Sequence, residues 1–252
     1  MNAVQFVGAG PGAADLLTVR AIRLLEVADT VLYPGSYLDA DMLESCSSAA
    51  DLVDTQNLNL DEILAHIVEA HSAGRRVVRL VSGDPSLYSA VSEQTRRLDA
   101  AGVPWQITPG VPSYAAAAAR VGRELTVPLV AQSVVLTRTQ ARSTAMPESE
   151  SLAAFAATRA TLVLHLAITA IRTLMDELVP AHGQDCPVVV VYRASQPEEL
   201  ILRGTVADIA DQVEAAKLRQ AAVILVGEAL GADPRAGESH LYDPQRDRSA
   251  SR

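Results

Sequence analysis

The sequence predicts an α/β fold made of two α/β domains. Three observations point to it. Short apolar runs rich in Val, Leu and Ile recur through the chain, at 3–7, 77–81, 188–192 and 222–226 among others. Stretches with helical spacing separate most of them. Turns rich in Gly, Pro, Ser and Asp follow several of the runs, where strands of an α/β protein hand over to helices. With 252 residues the chain is long enough for one large domain or two small ones. The expected division is 1–121, 122–231 and a polar tail, 232–252, with no periodicity and an expected lack of fixed structure.

In order, Ala3 to Val7 reads as a strand, and Gly8-Ala9-Gly10-Pro11-Gly12 as the turn after it. Thr18 is a helix N-cap candidate for Val19 to Ala28. Thr30–Tyr33 is a strand, Asp39 to Cys46 a short helix and Asp51–Asp54 a third short strand. Asn59 and Glu62 have the spacing of a capping box, followed by Ile63, Ile67, Val68 and His71 at helical intervals. Gly74 closes that helix. Val77–Val81 is a strand, Ser82-Gly83-Asp84-Pro85 its loop, and Ser86 to Ala100 a helix closed by Gly102. Trp105–Thr108 is a strand, and Pro109-Gly110-Val111-Pro112-Ser113 a third loop before an Ala-rich stretch. Alternating strands and helices imply right-handed crossovers and a largely parallel sheet, so the three loops should gather at one edge.

Gly122 to Pro128 joins the halves. The second half runs as strand 133–137, an irregular polar stretch 138–150, helix 151–157, strand 161–166 and helix 168–179. Strand Val188–Tyr192 has no polar alternation, as a strand covered on both faces should. Leu200–Arg203 is a further strand candidate, then helix 206–216, strand Ala222–Val226 and Gly227.

Composition excludes several classes. A net charge of −9 argues against non-specific nucleic-acid binding, and an anionic substrate would need local arginines. Cys46 and Cys186 form no C-x-x-C pair, so neither a disulfide framework nor a zinc site is expected. No apolar run approaches the roughly 20 residues that span a bilayer. The first ten residues lack a basic leader, which makes the cytoplasm the expected location. His66 and His71 are spaced poorly for joint metal ligation, and His165 lies in an apolar strand, as a core histidine would.

The glycine-rich turn does not fit dinucleotide binding. Its spacing is G-x-G-x-G with Pro11 inside, and the second strand ends in Tyr33-Pro34 with no carboxylate for a ribose. No helix N-terminus is placed to take a pyrophosphate.

Four blocks carry a resemblance: Val4 to Gly12 with Asp15-Leu-Leu-Thr18, Val81-Ser-Gly-Asp-Pro85, Pro109-Gly-Val-Pro-Ser113, and Pro187 to Ala194. Together they resemble the tetrapyrrole methylases, S-adenosylmethionine-dependent enzymes of corrinoid and sirohaem synthesis. The likeness covers about residues 3–230. Leu136 to Arg142, Glu124 to Pro128 and Val190 to Pro197 narrow it to the branch that methylates C11 of a corrin precursor. Ala141 and Pro112 depart from the usual pattern; Pro112 has no hydroxyl to offer a cofactor, which leaves Ser113.

The resemblance implies two α/β domains, a cofactor cleft between them and a homodimer. It places the cofactor against Pro11, Ser82, Gly83, Asp84, Leu87, Pro112, Ser113, Leu166, Ala194 and Gly227. Methyl transfer from a sulfonium needs alignment and exclusion of water more than acid–base machinery, so no catalytic triad and no metal are expected. A tetrapyrrole bears several carboxylates, which suit bidentate arginine. Arg138, Arg142 and Arg193 follow strand ends and are the substrate-binding candidates. Alternatives left open are a cobalt-containing substrate, another ring position, a modified protein histidine, a non-catalytic tetrapyrrole binder and, against the missing acidic residue, a nicotinamide-binding oxidoreductase.

Overall fold

The structure, a computed structural model, describes residues 2–35, 40–139 and 145–231. The Asp39 end of the expected short helix, Arg142, and the tail 232–252 lie outside the described residues. Two units divide the chain: Met1–Ala116 with Arg193–Glu198, and Ala117–Tyr192 with Glu199–Arg252. Among the described residues no helix is long and apolar enough to cross a membrane.

In the first unit, strands β1 (Val4–Gly8), β2 (Thr30–Tyr33), β3 (Asp51–Asp54), β4 (Val77–Val81) and β5 (Trp105–Thr108) form one sheet in the order β3-β2-β4-β1-β5. Every pair in it is parallel. Side chains alternate across such a sheet. Phe6, Leu32, Val77 and Val81 therefore pack on one face against Ile63 and Ile67 of α2 (Leu60–Ser72) and Leu98 of α3 (Val91–Ala100). Val7, Val31, Val78 and Leu80 meet Ala21 and Leu25 of α1 (Val19–Glu26) on the other. Burying each Phe or Leu side chain contributes about 1.5–3 kcal/mol.

Arg79 breaks the apolar pattern of β4. It is buried on the α2–α3 side, and its Nη1 donates to the Thr55 hydroxyl at 3.0 Å. That hydroxyl in turn donates to the Tyr33 carbonyl at 3.0 Å. Burial lowers the Arg79 pKa to about 10, which still leaves it cationic at neutral pH. One guanidinium thus ties the residue that follows β3 to the end of β2.

The second unit has strands β6 (Val134–Arg138), β7 (Thr161–His165), β8 (Pro187–Tyr192), β9 (Leu200–Thr205) and β10 (Ala222–Val226), in the order β6-β7-β10-β8-β9. Among the described strands the one parallel pairing here is β6 with β7; β10 is antiparallel to both β7 and β8, and β8 to β9. The expectation of a largely parallel sheet therefore holds for the first unit and not the second. A short connection between β8 and β9 permits a direct antiparallel return, and β10 inserts between two strands that are parallel to each other. Leu162, Leu164, Val188, Val190 and Ile224 build the core with Leu174 and Leu178 of α6 (Ile171–His182) and Ile209 of α7 (Ile209–Ala215).

Local sequence signals set three of the helix starts, those of α1, α2 and α5 (Leu152–Ala156). The Thr18 hydroxyl accepts from the Ala21 N–H at 3.1 Å, and the Ser151 hydroxyl from Ala154 at 3.2 Å, opening α1 and α5. Four expected helices begin late or are tighter than drawn. Residues 86–90 are not helical: Tyr88 and Ala90 both take a left-handed backbone, φ 52°, so α3 starts only at Val91. Ile168–Ala170 is a tight helical turn before α6, and Ala40–Ser45 is likewise a tight turn rather than an α-helix. The last, α7, starts after Asp208, whose carboxylate accepts from the Thr205 N–H at 2.6 Å.

The capping box is complete: Asn59 Oδ1 accepts from the N–H groups of Asp61 (2.9 Å) and Glu62 (3.1 Å), and the Glu62 carboxylate accepts from Asn59 N–H (2.7 Å). Asn59→Ala should cost about 1 kcal/mol, seen as a fall in Tm of about 2–4 °C. An unchanged melting curve would show that α2 is held by packing alone.

Candidate functional site

Because β4, β1 and β5 are neighbours in the sheet, the loops at their carboxyl ends meet side by side. Their backbones touch. A Cβ added at Gly8 would lie 2.5 Å from Gly110 N, and one at Gly110 only 2.3 Å from Gly83 O. No side chain fits at either place. Gly10 and Gly83 take positive φ, 74° and 67°, and exchange two hydrogen bonds of 3.0 and 2.8 Å. Glycine is used at the first pair for close approach and at the second for backbone hand.

Asp84 fastens the second loop to the third. Its Oδ2 accepts from Gly110 N–H at 2.8 Å, while Oδ1 accepts from the Ser86 N–H at 2.9 Å and from the Ser86 hydroxyl. Partial burial works to raise the Asp84 pKa, but these three hydrogen bonds outweigh it and hold the carboxyl below the usual carboxylate range. The Leu87 N–H closes a turn on the Asp84 carbonyl at 3.2 Å. Pro112 ends the third loop, and its carbonyl accepts from Ala115 (3.0 Å) at the start of α4 (Ser113–Val121). A Cβ on Gly83 would sit 3.8 Å from Ser113 N and 3.9 Å from the Pro112 Cα, so these positions adjoin.

The connection Arg193–Glu198 belongs to this first unit, although it links β8 to β9. The Ser195 hydroxyl accepts from the Ala13 N–H at 3.2 Å, and Gln196 Nε2 donates to the Pro11 carbonyl at 3.0 Å. Ala194, buried, sits beside these anchors. Arg193 donates to the Glu198 carboxylate at 3.1 Å.

The structure thus gathers Pro11, Ser82, Gly83, Asp84, Leu87, Pro112 and Ser113 on one edge of the first unit, with the segment that carries Ala194 bonded to the same glycine turn. The other candidates divide. In the second unit Arg138 is the cross-strand neighbour of His165, and Leu166 follows, 61% exposed with φ 53°. The Thr139 hydroxyl donates to the Leu166 carbonyl at 3.4 Å. Burial lowers the His165 pKa, so its ring is neutral at pH 7. Gly227 lies at the other edge of that sheet: β10 runs antiparallel to β7, and a Cβ on Gly227 would be 3.2 Å from the Cα of Thr161, where β7 begins. Arg193 is in the first unit, engaged with Glu198, and Arg142 lies outside the described residues.

Ser195 and Gln196 went unnoticed in the sequence as partners of the turn. Nothing local links them to Pro11 and Ala13, which are 185 and 182 residues away.

Comparisons with known proteins place this geometry. The family described as Tetrapyrrole (Corrin/Porphyrin) Methylases matches residues 3–210. A precorrin-4 C(11)-methyltransferase of Rhodococcus erythropolis is 51% identical over 98% of each chain. A solved cobalt precorrin-4 methyltransferase is 40% identical, with a TM-score of 0.87 over 92% of this chain and 96% of its own. A uroporphyrin-III C-methyl transferase from Thermus thermophilus, complexed with S-adenyl homocysteine, is 28% identical, with a TM-score of 0.76 over 91% of this chain and 99% of its own.

The close glycine contact has a measurable cost. Gly102→Ala meets nothing within 4 Å and should lose only the left-handed backbone penalty, about 1–2 kcal/mol. Gly110→Ala meets backbone that cannot swing aside and should lose more, as overpacking does. Equal losses in chemical denaturation would show that the loop backbones are free to part.

Proposed function

The chain belongs to the tetrapyrrole (corrin/porphyrin) methylase family, and on that premise we propose that it is an S-adenosylmethionine-dependent methyltransferase of cobalamin biosynthesis, acting at C11 of precorrin-4. What carries this is one coincidence: similarity to a precorrin-4 C(11)-methyltransferase across 98% of both chains, on a protein whose three glycine-built loops form a ready cradle. The lower identity to the cobalt precorrin-4 enzyme, 40%, favours the metal-free substrate. Family resemblance supports a homodimer and a cytoplasmic location.

The residues present suit the methyl donor. The Gly8–Gly83–Gly110 contact brings backbone rather than side chains to the edge, so that backbone N–H and C=O groups are what a donor would meet there. Asp84 contributes a negative charge on the same edge, which suits a sulfonium. Pro11, Gly83, Pro112, Ser113 and Ala194, all in the first unit, would line the donor, with Ser82 and Leu87 as further contacts. Gly227, at the far edge of its sheet, is left out of this set.

S-adenosylmethionine supplies an already activated methyl group, so the protein's task is alignment and exclusion of water. The loops fix one reactant, held by backbone that does not need to reorganise. Arg138, Arg142 and Arg193 are proposed to hold the acidic side chains of the macrocycle and so set which ring carbon is presented. For Arg193 this means exchanging the Glu198 carboxylate for one of the substrate's.

Incubating the protein with precorrin-4 and a methyl-labelled donor should give a product one methyl heavier, with the label at C11 by NMR. Label at another carbon, or turnover only with cobalt-precorrin-4, would replace this assignment. Asp84→Ala frees Gly110 and Ser86 together. Hydrogen bonds to a charged group contribute about 1.5–3 kcal/mol, so S-adenosylhomocysteine binding should weaken by about tenfold or more in calorimetry. The Asp84 pKa is depressed on folding, so its contribution is complete above the ordinary carboxylate range and disappears as pH falls through the lowered value. Arg138→Ala should raise the KM for the tetrapyrrole with little change in that for the donor; an unaltered tetrapyrrole KM would remove Arg138 from the substrate site.

A further inference from the structure

We propose that Gln196 and Ser195 are positioning residues that hold the glycine turn Gly10–Ala13 in the form that receives the methyl donor. The inference rests on the reading of this edge as the S-adenosylmethionine site. Neither side chain is required to touch the donor.

The geometry is that of a clasp. Gln196 Nε2 donates to the Pro11 carbonyl at 3.0 Å, and the Ala13 N–H donates to Ser195 Oγ at 3.2 Å. The two bonds straddle Gly12. That residue has φ 151°, and a Cβ there would fall 2.2 Å from Gln196 Cγ and 2.5 Å from its Nε2. The Gln196 side chain therefore lies flat on the Gly12 α-carbon, where any other residue would push it away. Pro11 fixes its own φ, and Gly10 is bonded to Gly83, so Gly12 is the part of the turn with wide backbone freedom that these ties restrain.

The clasp is itself held under constraint. Arg193 and Ser195 both take left-handed backbone, φ 46° and 68°, although neither is glycine. The turn is closed by the backbone, with Gln196 N–H on the Arg193 carbonyl at 2.9 Å. Unfavourable backbone of this kind persists where surrounding contacts determine it. A connection serving only to link β8 and β9 has no need to place two polar side chains on backbone more than 180 residues upstream.

Preorganisation lowers the ordering cost paid at binding. Its loss should appear in donor affinity, and not in tetrapyrrole KM or in kcat at saturating donor. Three variants test this: Gln196→Met, which keeps length without a donor; Gln196→Glu, which turns an acceptor toward a carbonyl; and Ser195→Ala. Calorimetry with S-adenosylhomocysteine, the two KM values and Tm would be measured on the full chain. One hydrogen bond corresponds to about a fivefold change. Gln196→Met and Ser195→Ala should weaken S-adenosylhomocysteine and raise the donor KM by about that factor, and Gln196→Glu by more, with tetrapyrrole KM and kcat unchanged. If wild type binds S-adenosylhomocysteine and all three variants match it, the clasp has no positioning role. Equal rises in both KM values alongside a lower Tm would overturn it in favour of general loosening. A wild-type protein that fails to bind S-adenosylhomocysteine would instead sink the donor site itself, and the clasp with it.

Discussion

Three strand ends touch backbone to backbone at Gly8, Gly83 and Gly110, and the rest of the edge depends on that contact. Parallel neighbours bring β4, β1 and β5 together, but parallel pairing alone would leave side chains between the loops. Removing the Cβ atoms lets the Gly10–Gly83 hydrogen bonds form and puts Gly110 N–H within reach of Asp84. The carboxylate then acts as a rivet, with its charge stabilised by the bonds it accepts. Hydrophobic burial on both faces of the sheet supplies the stability that permits an edge built with so few side chains.

Much of this was legible in the sequence because local chemistry determined it. Strands 30–33, 77–81 and 222–226 are mainly apolar runs between breakers, and they fold as read, as do the half-polar strands 51–54 and 105–108. Asn59 and Glu62 cap α2 because their side chains reach the backbone three residues away. The three glycine loops were expected at one edge and are found there. What escaped was nonlocal. Residues 86–90 have no glycine to announce the left-handed backbone at Tyr88 and Ala90; the bonds that Asp84 makes to Ser86, and the turn onto its carbonyl, override the helical pattern. The antiparallel insertion of β10 leaves no trace in its own residues, since a strand buried on both faces reads the same in either direction. That reversal separates Gly227 from Leu166, two positions that a parallel sheet would have set on one edge.

The two sheets divide their polar chemistry differently. In the first unit, charge serves architecture: buried Arg79 ties two strand ends through Thr55, and half-buried Asp84 joins two loops. In the second, Arg138 stands at the carboxyl end of β6 beside a histidine kept neutral by burial. In a chain of net charge −9, cationic groups at strand ends are the scarce resource for meeting an acidic macrocycle.

The connection from β8 to β9 has an evolutionary consequence. Surface connections ordinarily accept added or deleted residues at small entropic cost. Here the anchors fall at fixed steps after β8, so a single-residue insertion would swing both off their targets. The spacing from Tyr192 to Gln196 should therefore be held to a constant length among descendants of this chain even where the identities of flanking residues drift.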